Sequence, residues 1–307
     1  MNPLRAILFK LLSVALFVIM ASLIKAASDQ VPAGQAVFFR SLFAVPVIVL
    51  WLAARGDLRT GLRSANPMGH FWRGFVGTSA MGLMFAGLAL LPLPEVTAIG
   101  YATPLLVVIF AAMFLGEEVR LFRLGLVMVG LIGVLIMLSP RLTALTNHEM
   151  DARLALGAVI TLAGAGCAAL AQVFIRKLVQ TEQTSAIVFW FSISATLLSL
   201  LTLPFGWVMP TWDVAVMLVL AGFIGGVAQI FLTSSYRFAN ASVVAPFDYA
   251  SMLFAVAIGY VFFDELPTRP MVGGAALVIG AGVVIIWRER QLGLERDKQR
   301  KAQTPLG

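Results

Sequence analysis

Several side chains in this sequence stand inside apolar stretches that should carry none, and each can do chemistry. Asp248 lies about six residues inside the apolar run 242–263, and Arg40 about seven inside 33–54. At about 1.5 Å per residue each sits roughly 10 Å from the end of its run. An acid at the centre of a bilayer costs about 3 kcal/mol on insertion scales, so Asp248 must face protein or water. There it can bind a proton or a cationic group, or serve as half of a buried pair. Arg40 can hold an anion or pair internally, and pairing is its expected role. Tyr101 and Tyr249 each offer a ring and a hydroxyl. Trp72, Phe75, Phe85 and Phe247 offer flat faces, and Gln172, Gln229, Ser234 and Ser235 offer hydrogen bonds. Stacking surfaces plus a few fixed polar contacts suit a planar solute. The candidate solute-binding set is Tyr101, Tyr249, Asp248, Gln172, Gln229, Trp72 and Ser234. The single phenylalanines are expected to pack, and Trp72 also suits an interfacial aromatic belt. Glu117 and Glu265 end the fourth and ninth runs. They read either as gating carboxylates or as helix-end charges paired with Arg120, Arg123 or Arg269, and pairing is expected because interfacial charge is cheap. Lys25 is expected to snorkel to the outer surface.

Other chemistries lack their residues. His70 and His148 lie outside the apolar cores, and Cys167 is a lone cysteine, so no metal-ligand spacing exists and no disulfide can close within the chain. No Gly-x-x-x-x-Gly-Lys-[Ser/Thr] loop is present, and no cofactor is expected. Ser79 in Gly77-Thr78-Ser79-Ala80-Met81 lacks the second glycine of a nucleophile elbow, so catalysis is not expected.

The elements that must hold these residues are set by composition. Of 307 residues, 60% are hydrophobic and 12% charged, with mean hydropathy +0.94. A soluble domain carries about 25% charged residues. Apolar runs fall at about 4–26, 33–54, 69–90, 94–115, 121–139, 154–176, 185–204, 213–235, 242–263 and 270–287. Each can cross a hydrocarbon core of about 30 Å as a helix. Strands are disfavoured: the runs do not alternate, and lipid requires each segment to satisfy its own backbone. The first run, after Arg5 and Lys10 and before Lys25-Ala26-Ala27-Ser28, has features of a secretory signal, but an uncleaved span is expected.

Basic residues are unevenly shared. With the N-terminus inside, the inner side holds Arg5, Lys10, Arg55, Arg59, Arg63, Arg73, Arg120, Arg123, Arg176, Lys177, Arg237 and the tail residues after Trp287. The outer side holds Lys25, Arg141, Arg153 and Arg269. The bias predicts both termini cytoplasmic and a multi-pass protein of the inner membrane. The net charge of +7 thus reads as membrane topology and not as nucleic-acid binding. The basic tail is expected to be disordered, with anionic lipid as a further contact.

The chain repeats itself. A shift of 148 (249 − 101) pairs Tyr101 with Tyr249 and Ala102 with Ala250, and also Gly74 with Gly222, Phe75 with Phe223, Gly77 with Gly225, Glu117 with Glu265 and Gly125 with Gly273. Third span falls on eighth and fourth on ninth. Each half therefore has five spans, and an odd number inserts the halves in opposite senses. The expected fold class is an all-α integral membrane protein of ten transmembrane helices arranged as two inverted five-helix repeats. The expected boundaries are 1–140 for the first repeat, 141–153 for a connecting loop, 154–287 for the second repeat and 288–307 for the tail. Two such halves can expose a midplane site alternately to either side.

The sequence resembles the EamA-type ten-helix carriers of the drug/metabolite transporter superfamily. The resemblance rests on Tyr101-Ala102-Thr103-Pro104-Leu105 running to Phe114-Leu115-Gly116-Glu117-Glu118 and Gly125, and on Ala245-Pro246 running to Phe263-Asp264-Glu265-Leu266-Pro267 and Gly273. The second copy has Met252 opposite Pro104 and its proline earlier, at Pro246. The resemblance implies secondary transport of a small organic solute through a central cavity. It is similar in texture to bacterial riboflavin carriers, and riboflavin is the first solute expected. An amino-acid or drug exporter of the same fold is the alternative within the class, and an intramembrane enzyme, a channel or a non-transporting scaffold are the alternatives outside it. A small-molecule solute and the lipid bilayer are the expected partners. Nothing in the sequence fixes an oligomeric state.

Overall fold

Apolar runs in lipid have only their own backbone to bond to, and the chain answers with helices. The computed structural model describes residues 3–115, 121–143, 150–178, 181–238, 247–248 and 250–303. The first half contains α1 (Pro3–Ala27), α2 (Ala33–Ala54), the one-turn α3 (Leu58–Gly61), α4 (Pro67–Leu88), α5 (Leu93–Gly100), α6 (Ala102–Leu115) and α7 (Leu121–Thr143). The second contains α8 (Met150–Leu178), α9 (Thr184–Leu200), α10 (Trp212–Phe238), α11 (Ala250–Phe263) and α12 (Arg269–Gln303). No strand occurs among the described residues. Setting α3 aside and taking α5 with α6 as one broken span, the chain crosses ten times, five per half. Among the described residues four helices, α1, α2, α8 and α10, contain stretches long and apolar enough to cross unaided.

The ends follow local rules. Asn66 caps α4 by accepting from the Gly69 N–H at 2.9 Å, with Pro67 in the first turn, where its missing donor is harmless. Pro32 and Pro92 precede α2 and α5 in extended conformation. The run 94–115 is not one helix. Pro104 has no N–H to offer the Gly100 carbonyl, and the ladder is interrupted at Tyr101 (φ −68°, ψ −7°) before α6 begins. The tail also departs from expectation: α12 continues past Trp287 to Gln303 and is helical, not disordered, among the described residues. Its Gln, Leu, Glu, Arg and Lys residues favour helix without needing apolar cover.

Packing follows the repeat. In the first half α1 lies on α10, and in the second half its counterpart α8 lies on α4, the counterpart of α10. Likewise α2 packs on α10 and α9 on α4, while α1 meets α11 as α8 meets α6. The pairs α2 with α9 and α7 with α12 lie across the pseudo-dyad. Each half is thus built into the other, and one continuous apolar core passes through both. Outside it, large apolar side chains such as Leu50 and Phe262 remain exposed, as a surface facing lipid requires.

Small residues set the closest approaches. A Cβ on Gly222 would collide with Phe43, and one on Gly226 would stand 3.0 Å from Val47 Cβ, so this pair lets α10 lie flat on α2. Gly133 faces the Gly274 carbonyl, where an added Cβ would come within 2.7 Å, and this brings α7 onto α12. A Cβ on Gly280 would meet nothing within 4 Å among the described residues, so this glycine sets no such approach. Two basic residues counted with the inner loops are instead buried within helices: Lys10 in α1 and Arg73 in α4.

Candidate functional site

The interruption at Tyr101 turns its side chain inward. Tyr101 is buried, and its hydroxyl lies 2.6 Å from Ser251 Oγ at the start of α11. Ser251 has one proton and donates it to the Asp248 backbone carbonyl at 2.7 Å, so the tyrosine hydroxyl is the donor between the two. Residues 247–248 form a short 3-10 turn ahead of α11. The broken span of the first half is therefore tied, through one hydroxyl, to the irregular entry of its repeat counterpart in the second. Such breaks free backbone groups at depth and need protein partners there.

From the same turn the Asp248 carboxylate reaches Lys10 Nζ at 2.6 Å. The lysine side chain is 1% exposed and the aspartate 44%. Asp248 thus has its charge partner, and the run of contacts Tyr101, Ser251, Asp248, Lys10 joins α5/α6, α11 and α1. Lys10 gave no sequence signal of this, because it sits at the ragged start of the first apolar run and reads as a loop charge. Ser251 aligns with Thr103 under the repeat shift, a hint that only the fold makes useful.

At the other end of α1 the pattern recurs with different donors. Lys25 Nζ meets Glu265 Oε1 at 3.0 Å and donates to the carbonyls of Leu91 at 2.8 Å and Leu88 at 3.3 Å. The other carboxylate oxygen of Glu265 accepts the Leu93 N–H at 2.8 Å. Glu265 therefore caps α5, whose first-turn donors have no helical partner. Lys25 does not snorkel outward, and Glu265 pairs with Lys25, not with Arg269. Both side chains are largely covered. The two ion pairs stand fifteen residues apart on α1 (25 − 10), about 22 Å along the axis.

Between these levels is a cavity of about 240 Å³ bordered by Met20, Met81, Met84, Phe85, Val96 and Arg40, among others. Thioether side chains conform to varied apolar shapes. Arg40 is 4% exposed, and the pairing expected for it is not found: among the described residues it meets no carboxylate, and its Nε has no hydrogen-bond partner. Its Cζ lies 5.9 Å from the Phe191 ring centre.

The remaining sequence candidates are dispersed. Gln229 and Ser234 are half-buried on α10. Gln172 is exposed on α8. Trp72 is about half exposed and packs edge-on against Phe71 and Phe75 on the outer wall of α4. Tyr249, Glu117 and Pro246 lie outside the described residues.

A further contact between the halves sits in the loops. Glu182 accepts the N–H groups of Ala65 at 2.7 Å and Asn66 at 2.6 Å and stands 3.4 Å from His70 Nε2. Burial pushes the Glu182 carboxyl up, but the backbone donors of Asn66 and Ala65, with His70, outweigh this and hold it below the ordinary carboxylate range.

Comparison with known proteins gives the same architecture. The sequence matches the family described as "EamA-like transporter family" twice, over residues 4–139 and 155–288. It is 29% identical over 283 residues to a pseudopaline exporter of Pseudomonas aeruginosa, covering 91% of this chain and 95% of that one. It is 26% identical to an S-adenosylmethionine uptake transporter of Rickettsia prowazekii, covering 84% of each. A riboflavin transporter of Vibrio cholerae is 27% identical, covering 96% of this chain and 98% of the other. A solved crystal structure of 21% identity superposes with a TM-score of 0.65, covering 92% of this chain and 97% of that one. At that identity the likeness speaks for the fold alone.

Proposed function

This chain belongs to the EamA-like transporter family, and from that premise we propose that it moves a small organic metabolite across the inner membrane by alternating access, with both termini cytoplasmic. It is a multi-pass membrane transporter and not an enzyme. The observation that carries the proposed mechanism is the pair of ion pairs at opposite ends of α1, Lys10–Asp248 and Lys25–Glu265, both made to the α11 region of the other half. A helix held at both ends to the opposite repeat cannot rock without stretching one pair. The better-covered Lys25–Glu265 pair closes its side, and the half-exposed Asp248 leaves the other side wetter. Exchange of these two conditions between the repeat-related halves, taken as 1–140 and 154–287, is the transport step. Tyr101 and Asp248 form the centre of the proposed solute site, with Tyr249 as the repeat partner of Tyr101. Gln229 and Ser234 line the approach from α10, while Gln172 and Trp72, exposed on α8 and α4, stand apart from this centre.

Riboflavin is the first solute to test, supported by similarity to the riboflavin transporter over nearly the whole of both chains. Similarity to the pseudopaline exporter supports a second reading, in which the natural direction is outward. Purified protein in sealed vesicles should show saturable riboflavin uptake and counterflow. Tyr101→Ala and Asp248→Asn should each lower flux severalfold at unchanged membrane abundance. Unchanged flux in both variants rules out the site assignment, and non-saturating conductance rules out a carrier.

A further inference from the structure

We propose that Arg40 and Arg73 together form a binding site for an anionic group, a carboxylate or a phosphate, borne by the transported solute. The proposal rests on the transport reading above for the word solute, and on the structure alone for the word anionic.

Arg40 comes from α2 and Arg73 from α4, and both are more than nine-tenths buried, at 4% and 8% exposure. Both guanidinium groups lie against the same ring, Phe191 of α9: the Arg73 Cζ is 3.7 Å from its centre and the Arg40 Cζ 5.9 Å. Two positive charges gathered at one ring repel one another. Among the described residues Nε of each, and Nη1 of Arg73, have no hydrogen-bond partner, and neither arginine meets a carboxylate. Two like charges have thus been brought out of water to one place with several donors unused. One aromatic face gives back far less than the hydration that two guanidiniums surrender. An anion accepting from both forks would supply the missing charge and the missing acceptors at once.

The surrounding backbone is shaped for this. A Cβ on Gly77 would collide with Arg73 Nη1, and a Cβ on Gly225 would come within 3.2 Å of Arg40 Nε. Gly77 and Gly225 are repeat counterparts (225 − 77 = 148); a side chain on Gly77 would displace Arg73, while one on Gly225 would first meet Met20 Sδ at 2.7 Å and then crowd Arg40. Arg40 also borders the 240 Å³ cavity with Met20, Met84 and Phe85. An anion at the arginines would therefore leave the rest of its molecule against apolar wall. A lipid headgroup is disfavoured by the burial of both side chains, whereas a compact solute suits it. The arginine pair thus favours, as solute, an organic anion with an apolar or aromatic body over uncharged riboflavin.

The test uses the purified full chain in detergent, followed by thermal unfolding during titration with acetate, phenylacetate, inorganic phosphate and, at matched ionic strength, chloride. Acetate or phosphate should raise Tm saturably by a few degrees above chloride. Phenylacetate should act at about tenfold lower concentration than acetate, because its ring enters the cavity. Arg40→Gln and Arg73→Gln should each abolish the rise, and Arg40→Lys, which keeps charge without the fork, should retain part of it. No rise above chloride in the unaltered protein overturns the site, as does an equal rise in both Gln variants. Equal potency of acetate and phenylacetate overturns its assignment to the solute and confines it to small free anions. Anion binding without flux would sink the transport reading alone, and flux without anion-dependent stabilisation would sink this proposal alone.

Discussion

The contact of α1 with α11 and that of α8 with α6 occupy equivalent places in the two halves, yet they are bonded in opposite ways. The first carries an ion pair at each end, Lys10–Asp248 and Lys25–Glu265. Among the described residues the second has small side chains, Ala158, Ala165 and Ala169 of α8 being fully buried, and its polar link is Thr103 Oγ1 donating to the Ala165 carbonyl at 3.3 Å. Under the repeat shift Lys10 stands opposite Ala158, Lys25 opposite Val173 and Asp248 opposite Gly100. Lys10 and Lys25 thus have uncharged counterparts, whereas the counterpart of Glu265 is Glu117, which lies outside the described residues. Close-packed alanines can slide at little cost, but an ion pair whose lysine is covered resists separation, because the ammonium would give up a carboxylate in a medium that solvates it poorly. The inverted repeats are thus alike in shape and unlike in stiffness.

The contrast can be broken by substitution, and the largest effect is expected at the charged contact. Asp248→Leu removes a carboxylate from the buried Lys10 ammonium and should lower stability by about 2 kcal/mol, measured by thermal unfolding in detergent. Adding Lys10→Met to it should restore much of that loss without restoring flux, whereas a double variant no better than the single would show that the pair is not the source. Glu265→Gln weakens the Lys25 pair and the cap on α5 together and should cost about 1–2 kcal/mol. Thr103→Val, in the apolar twin, removes one long hydrogen bond and should cost about 1 kcal/mol or less. A Thr103 variant as damaging as the Asp248 one would erase the proposed difference between the contacts.

The smallest effect concerns pH. The depressed folded pKa of Glu182 means that its contribution is complete above the ordinary carboxylate value of 4.5 and is lost as pH falls through the lower folded value. Below pH 4.5 the unaltered protein should therefore lose part of its stability that Glu182→Gln never had, as seen by comparing unfolding temperatures across that range. Equal acid sensitivity in the two proteins would remove Glu182 from the contacts joining the halves.

Much of the architecture was legible in the chain itself. The spans, the five-plus-five repeat and the helix-only character follow from runs that must satisfy their own backbone in lipid, and that demand is local to each segment. Tyr101 and Asp248 could be singled out for the same reason, since a polar group in an apolar run is conspicuous. Pro104 marked a bend, though not that the span would be interrupted at Tyr101. The sequence did not disclose partners. Lys10 looked like a loop charge because it begins a run, Lys25 looked free to snorkel because it ends one, and Arg73 was counted with the loops. Which cation meets which carboxylate, and that Arg40 and Arg73 meet none among the described residues while sharing Phe191, depends on which helix faces which across the pseudo-dyad. That arrangement comes from packing between segments far apart in the chain, where many pairings satisfy composition and only side-chain shape, down to the bare backbone of Gly77 and Gly225, selects one.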